Sequence, residues 1–237
     1  MKRIILMMLR NIFILPVYWI KLCYYASHID KYTDEHINKF LKDIVKHANK
    51  GGNVEIVSTG AENIPKENGF IMYPNHQGLY DMLAIVDACD KPVSAVSKIE
   101  VAKIQGLKQI MACLKGHYMD RDDVRQSMKV IMEVTKEVKE GRNYIIFAEG
   151  TRSKMGNKLL DFKGGSFKAA TKAKCPIVPV AMIDSFKPFD TGTIEPVKVQ
   201  VHFLEPMLYE EYKDMNTNEI AKEVKTRIEK AIEKYEE

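Results

Sequence analysis

The 237-residue chain predicts an α/β fold, with a mostly parallel or mixed central sheet flanked by helices and an N-terminal two-helix element in front of it. Three observations predict this. Short apolar runs punctuated by Gly, Pro and Asn alternate with amphipathic helical stretches, the pattern of strand–helix–strand units. The length suits one well-buried domain and is short for two. With 46% hydrophobic and 29% charged residues, the composition is that of a folding chain.

The N-terminus differs from the rest. Residues 1–27 carry Lys2, Arg3, Arg10 and Lys21 without any acid, so the net charge of +4 sits here. Between Ile4 and Tyr25 the chain is mostly apolar and includes Phe13, Tyr18 and its only tryptophan, Trp19. A transmembrane helix wants about 20 uninterrupted apolar residues, and Arg10 and Lys21 interrupt this one. On an ideal helix Arg3, Arg10 and Lys21 fall within roughly 20° of one another. That stripe predicts an interfacial helix, cations toward lipid headgroups and aromatic rings at bilayer depth, kinked at Pro16. A helix packed on the domain and a single membrane span are the competing readings, and a cleaved signal peptide lacks its small-residue site. A second helix is expected from Asp34 to Asn49, ended by Gly51-Gly52. Residues 1–50 thus form the N-terminal element and residues 51–237 the main domain.

Within that domain, Val54–Val57 alternates as a half-buried strand and residues 60–65 form a turn. Gly69–Tyr73 reads as a buried strand, broken by Pro74-Asn75, with Gly78 allowing a sharp turn into a helix that carries Met82, Leu83, Ile85 and Val86. Pro92–Val96 is a further strand, and Ser97-Lys98 can open a short helix. Val124 to Val138 is an amphipathic helix capped by Asp122 or Asp123 and stopped at Gly141. Tyr144–Phe147 is an apolar strand that delivers Glu149 to Ser153 at its C-terminal end, where α/β sheets carry their sites. Asn216 to Tyr235 is a packing helix.

The chemistry concentrates in two segments. In Asn75-His76-Gln77-Gly78-Leu79-Tyr80-Asp81, a five-residue step puts His76 and Asp81 about 140° apart on a helix, so they meet only if His76 lies in the loop and Asp81 in the first helical turn. A histidine so paired is held in one tautomer and can take a proton from an alcohol. Phe147-Ala148-Glu149-Gly150-Thr151-Arg152-Ser153 supplies a guanidinium whose planar fork matches phosphate oxygens. Lys98 and Arg121 are further candidates for the same anion, with solvated surface charges as their bland alternative. Glu149 is expected to order the site through hydrogen bonds to backbone.

The His76/Asp81 pair, an HX4D motif, followed by Glu149–Ser153, resembles the glycerolipid acyltransferases, most closely the bacterial 1-acylglycerol-3-phosphate acyltransferases. Gly116–Arg121 and Cys175–Val180 are similar to two further blocks of that family, and the ordered set covers roughly residues 55 to 205. The resemblance implies an acyltransferase domain that moves a fatty acyl group from acyl carrier protein or coenzyme A to the sn-2 hydroxyl of 1-acylglycerol-3-phosphate (lysophosphatidic acid), giving phosphatidic acid. It implies His76 as general base, Asp81 and Glu149 in the catalytic set, and Arg152, Lys98, Arg121, Gly150 and Thr151 around the substrate. No metal and no cofactor beyond the acyl thioester are implied, and the setting is the cytoplasmic membrane face, peripheral or monotopic. Phe162-Lys163-Gly164-Gly165-Ser166-Phe167-Lys168 is similar to a basic, glycine-bearing helix start of the family, with a second glycine, Gly165, where relatives often have another lysine. Pro179 is expected to shape the acyl path or the sheet.

Alternatives are another lysolipid acceptor on the same fold, and a lipid-binding membrane protein without turnover. A serine hydrolase is disfavoured because Gly164–Lys168 lacks the closing glycine of a nucleophile elbow. Cys89 or Cys113 remains open as a nucleophile. The four cysteines, Cys23, Cys89, Cys113 and Cys175, show neither a disulfide framework nor zinc spacing, which fits a reducing compartment. There is no phosphate loop and no basic, aromatic-rich nucleic-acid surface.

Overall fold

The computed structural model describes residues 2–236. Its centre is a seven-stranded sheet made of β1 (Val54–Thr59), β2 (Ile71–Pro74), β3 (Ser94–Lys98), β4 (His117–Met119), β5 (Tyr144–Ile145), β6 (Ile177–Ile183) and β7 (Val197–Phe203). The order is β1-β7-β6-β2-β5-β3-β4. Every pairing is parallel except β6 with β7, so the sheet is mostly parallel with one antiparallel step. β7, β4 and the short helices at Leu107–Cys113, Lys187–Asp190 and Tyr209–Tyr212 were not among the expected elements, although Val197–Phe203 alternates with a strand's period of two.

Alternation along the strands sorts their side chains to two faces. Ile71, Tyr73, Ile177 and Ala181 join one core and Phe70, Met72, Val178 and Val180 the other. The first face is covered by α6 (Val124–Lys139), α7 (Lys168–Ala173) and α10 (Thr217–Tyr235), through Val130, Val134, Ile220, Val224 and Ile228. At about 1.5–3 kcal/mol per fully buried aliphatic side chain, these layers fix the strand ends that carry the site. Asp123 caps α6 by accepting from Arg125 N and Gln126 N, and Asn216 and Glu219 form a capping box on α10. The opposite face is covered by α4 (Asp81–Ala88), with α8 (Lys187–Asp190) beside it, whereas α9 (Tyr209–Tyr212) packs on the first core through Tyr212.

The N-terminal stretch is a bent pair, α1 (Lys2–Arg10) and α2 (Leu15–Ser27), meeting at 98°. Among the described residues no single helix is long and apolar enough to cross a membrane. The break precedes Pro16, which sits in the first turn of α2, where its missing N–H leaves no bond unmade. Phe13 at the corner is 95% exposed, and Ile5, Met8, Leu9, Ile12, Val17, Trp19 and Ile20 are also exposed. α2 packs through Leu22 against α5 (Leu107–Cys113) and α3 (Asp34–Gly52).

The expected stripe of headgroup-facing cations is corrected here. Arg3 is 1% exposed and donates to the carbonyls of Gly52, Glu195 and Pro188, the last two at 2.8 and 3.0 Å. Arg10 donates to Gly51 O and Asn53 Oδ1. Helical periodicity gave the stripe but not its direction. Both guanidiniums are drawn to the unpaired carbonyls and negative dipole end of α3. The end of α3 differs accordingly: Gly51 and Gly52 remain helical, and Asn53 caps at φ 55°. A Cβ on either glycine would meet α1 or the residue after it, at 2.4 Å from Asn11 Nδ2 or 2.3 Å from Met7 Cε.

Candidate active site

The site lies in the loop between β2 and α4 and the loops that follow β5 and β6. Asp81 is the first residue of α4 and fully buried, and its carboxylate faces back into the loop. Oδ2 lies 2.7 Å from His76 Nδ1 and accepts from Gln77 N at 2.7 Å; Oδ1 accepts from Gly78 N at 3.0 Å. An ionised carboxylate only accepts, so the neutral ring carries its proton on Nδ1. Nε2 has no hydrogen-bond partner among the described residues, and the ring is stacked on Phe147 with centroids 4.2 Å apart. Gly78 serves space rather than a positive φ: a Cβ there would lie 2.9 Å from Phe186 Cα and 3.1 Å from Asp190 Oδ2.

Glu149 lies beneath the loop, 2% exposed. Oε1 accepts from His76 N at 2.6 Å and Oε2 from Leu160 N at 2.9 Å. Burial pushes its carboxyl above the ordinary range, and the two amides pull the other way. Ser153 N donates to His76 O at 2.8 Å, so the β5 turn and the histidine loop are joined on both sides of Arg152.

The loop after β6 closes the third side. Asn75 pairs with the backbone of Met182 in both directions, at 2.7 and 3.0 Å. Gln77 donates to Met182 O and Asn157 Oδ1, each at 2.8 Å, and accepts from Ser185 N at 2.9 Å. Ser185 Oγ lies 2.7 Å from Asp81 Oδ1. These contacts were missed at the sequence level. The polar Asn75 and Gln77 beside an apolar strand were a usable signal, whereas Ser185, 104 positions from Asp81, had none nearby.

Around this buried floor is a cationic rim. Gly150 takes φ 75°, and a Cβ there would approach Lys163 Nζ to 2.9 Å. Thr151 is exposed and Arg152 half-buried, and Arg152 makes no hydrogen bond or ion pair among the described residues. Lys98 is exposed and paired with Glu100 at 2.6 Å. Arg121 and Lys163 lie at an apolar groove of about 310 Å³, whose walls include Val96, Met119, Ile131, Val134, Ile146 and Phe147. Phe147 therefore touches both the groove and the imidazole. Gly164 packs so closely on Asn218 that a Cβ would sit 2.1 Å from Oδ1, a packing reason for that glycine. Pro179 is not in the groove wall; it pairs with Tyr73 in the sheet interior and accepts from Leu204 N where the β7 ladder ends.

The three buried cysteines offer no activated thiol. Burial pushes Cys89 and Cys113 up to about 11 and Cys175 up to about 12, which keeps them protonated and poorly nucleophilic. Among the described residues no group of three or more His, Cys, Asp or Glu side chains is arranged to hold a metal ion.

Comparison with known proteins gives a consistent picture. An acyltransferase family model matches residues 55–183. A 1-acyl-sn-glycerol-3-phosphate acyltransferase of Borreliella burgdorferi is 30% identical over 56% of this chain and 52% of its own length. The chain thus spans about half of that relative. The Escherichia coli protein of the same name is 30% identical over 68% of this chain and 66% of its own. The crystal structure of the 1-acyl-sn-glycerophosphate (LPA) acyltransferase from Thermotoga maritima superposes with a TM-score of 0.77 at 26% identity, over 97% of this chain and 96% of that one.

Proposed function

The chain belongs to the acyltransferase family, and from that premise we propose that it transfers a fatty acyl group from an acyl thioester to the sn-2 hydroxyl of 1-acylglycerol-3-phosphate, forming phosphatidic acid. The observation that carries this reading is the His76–Asp81 pair at 2.7 Å, with the far edge of the ring unengaged and its face on the wall of an apolar groove. His76 Nε2 takes the hydroxyl proton as the hydroxyl oxygen attacks the thioester carbonyl. Collapse of the tetrahedral intermediate breaks the C–S bond, and the imidazolium returns the proton to the departing sulfur. Asp81 holds the tautomer and stabilises the imidazolium while it lasts.

Transfer is direct, in keeping with three buried thiols that stay protonated. Acyl carrier protein or coenzyme A carries the acyl group, and the groove of about 310 Å³ takes an alkyl chain, since ligand pockets of this size are mostly apolar with a few polar groups at the mouth. Arg152 holds the acceptor phosphate, with Lys98 and Arg121 adding positive potential. Glu149 acts by fixing the backbone at His76. The exposed apolar face of α1 and α2 lies in the cytoplasmic leaflet and brings the site to its lipid substrate.

The test is an acyl-transfer assay on purified protein with a panel of lysolipids and both donor types. Lysophosphatidic acid is expected to be the best acceptor, and His76→Ala to lose about 10²- to 10⁴-fold in kcat, the range for general base catalysis. Wild-type turnover by His76→Ala would remove the base assignment; a preference for an acceptor without phosphate would remove the role given to Arg152.

A further inference from the structure

We infer that Ser185 is a positioning residue for this reaction, holding the outer oxygen of Asp81 so that the inner one stays on His76, and that Gln77 sets Ser185 in place. The inference rests on the reading of His76 as the base. It starts from hydrogen-bonding capacity in a buried network, where Asn75, Gln77, Asp81 and Ser185 are all at most 1% exposed.

The orientation of the Gln77 amide follows from its partners. Its nitrogen faces two acceptors, Met182 O and Asn157 Oδ1, and its oxygen faces the Ser185 N–H. The flipped amide would oppose acceptor to acceptor at Met182 and donor to donor at Ser185. With Oε1 so assigned, Ser185 Oγ has two acceptors in reach, Gln77 Oε1 at 2.8 Å and Asp81 Oδ1 at 2.7 Å. A hydroxyl has one hydrogen. Bonds to an ionised acceptor are roughly twice as strong as neutral ones, and Gln77 Oε1 already has the Ser185 N–H, so the hydroxyl points to Asp81.

The consequence is geometric. Oδ1 has Ser185 Oγ and one branch of the Gly78 N–H, while Oδ2 has Gln77 N, the His76 ring and the other branch of the Gly78 N–H. The backbone amides come from the same loop as His76 and move with it. Ser185 is the only side-chain donor to Asp81 from another part of the fold among the described residues. It is set there by three features: Asp184 turns the chain out of β6 at φ 61°, Asn157 accepts from Gln77 and from Asp184 N, and Gln77 accepts from Ser185 N. Without the hydroxyl, the carboxylate can rotate about its Cβ–Cγ bond and weaken its hold on the ring. Acceptor and donor binding do not use this atom.

The experiment compares Ser185→Ala, Ser185→Cys and Ser185→Thr in the full chain, assayed on lysophosphatidic acid micelles with an acyl-coenzyme A donor. Alanine and cysteine are expected to lower kcat about 10-fold or more with KM unchanged, the loss of one bond to a charged group. Threonine, which keeps the donor, is expected to recover most of it. Cysteine keeps the volume and has only a weak donor, so it separates packing from donation and remains informative if alanine folds poorly. The low-field proton resonance of His76 Nδ1 should broaden or shift in the alanine and cysteine variants. Wild-type kcat in Ser185→Cys, or a fall in kcat with the His76 proton unmoved, would overturn the inference. His76→Ala in the same assay keeps the two claims apart: if it is inactive while Ser185→Cys is fully active, the base stands and the positioning role falls.

Discussion

The buried floor and the cationic rim of this site lie within a few residues of each other and are built in opposite ways. On the floor, Asp81, Glu149, Gln77 and Ser185 are buried, and each has its polar atoms engaged at 2.6–3.1 Å. On the rim, among the described residues Arg152 is unengaged and Lys98 holds only an exposed partner, Glu100. A proton-transfer group must be held before the substrate arrives, because small displacements cost rate. A phosphate-binding group must leave its donors open until the ligand brings its own charge. The difference teaches which substitutions affect turnover and which affect affinity.

The largest effect expected from this contrast is at Asp81. Asp81→Asn keeps the shape but turns an amide donor toward loop N–H groups or the His76 ring, so kcat should fall by about 10³-fold or more with little change in KM, as for triads given the wrong tautomer. A KM effect of equal size would blur the line between floor and rim. Next is the rim. Arg152→Ala should raise the KM for lysophosphatidic acid about 10- to 100-fold and leave kcat nearly intact, and Arg152→Lys should recover only part, since an ammonium lacks the bidentate fork. A kcat-only loss would move Arg152 to the floor.

The smallest effect sharpens the contrast through stability. Glu149 is desolvated and its carboxyl is raised, so the folded chain holds that proton more tightly than the unfolded one. Its contribution is therefore fully present below the ordinary carboxylate value and is lost as pH rises through the higher folded value. Urea denaturation of wild type and Glu149→Gln across pH 4 to 7 should show the wild type losing ground relative to the variant as pH rises. A constant difference would mean that Glu149 does not titrate abnormally.

How much of this was legible depended on sequence distance. The His76–Asp81 contact follows from a strand end and a helix start joined by a short loop, because only one local geometry lets the side chains meet. Glu149 was readable as a backbone organiser because it follows an apolar strand, although its partner at Leu160 was not. Ser185 was hidden because its position depends on β6 inserting between β2 and β7, a pairing no local pattern specifies. The cations of α1 were visible, but periodicity gives a face without saying what packs on it; here the C-terminal carbonyls of α3 claimed Arg3 and Arg10. The apolar groove draws on β3, β4, α6, α7 and the segment after β5, and exists only after they assemble.

Arg3 bears on how this protein can be engineered. Trimming the greasy leading helices to obtain a more tractable catalytic fragment would also delete the donor for the carbonyls of Gly52, Pro188 and Glu195. Pro188 closely follows Ser185 in the chain, so a shortened protein would arrive with slack in the segment behind its own aspartate. Solubility would be better sought by recolouring the outward side of the corner at Phe13, leaving the inward rivet in place.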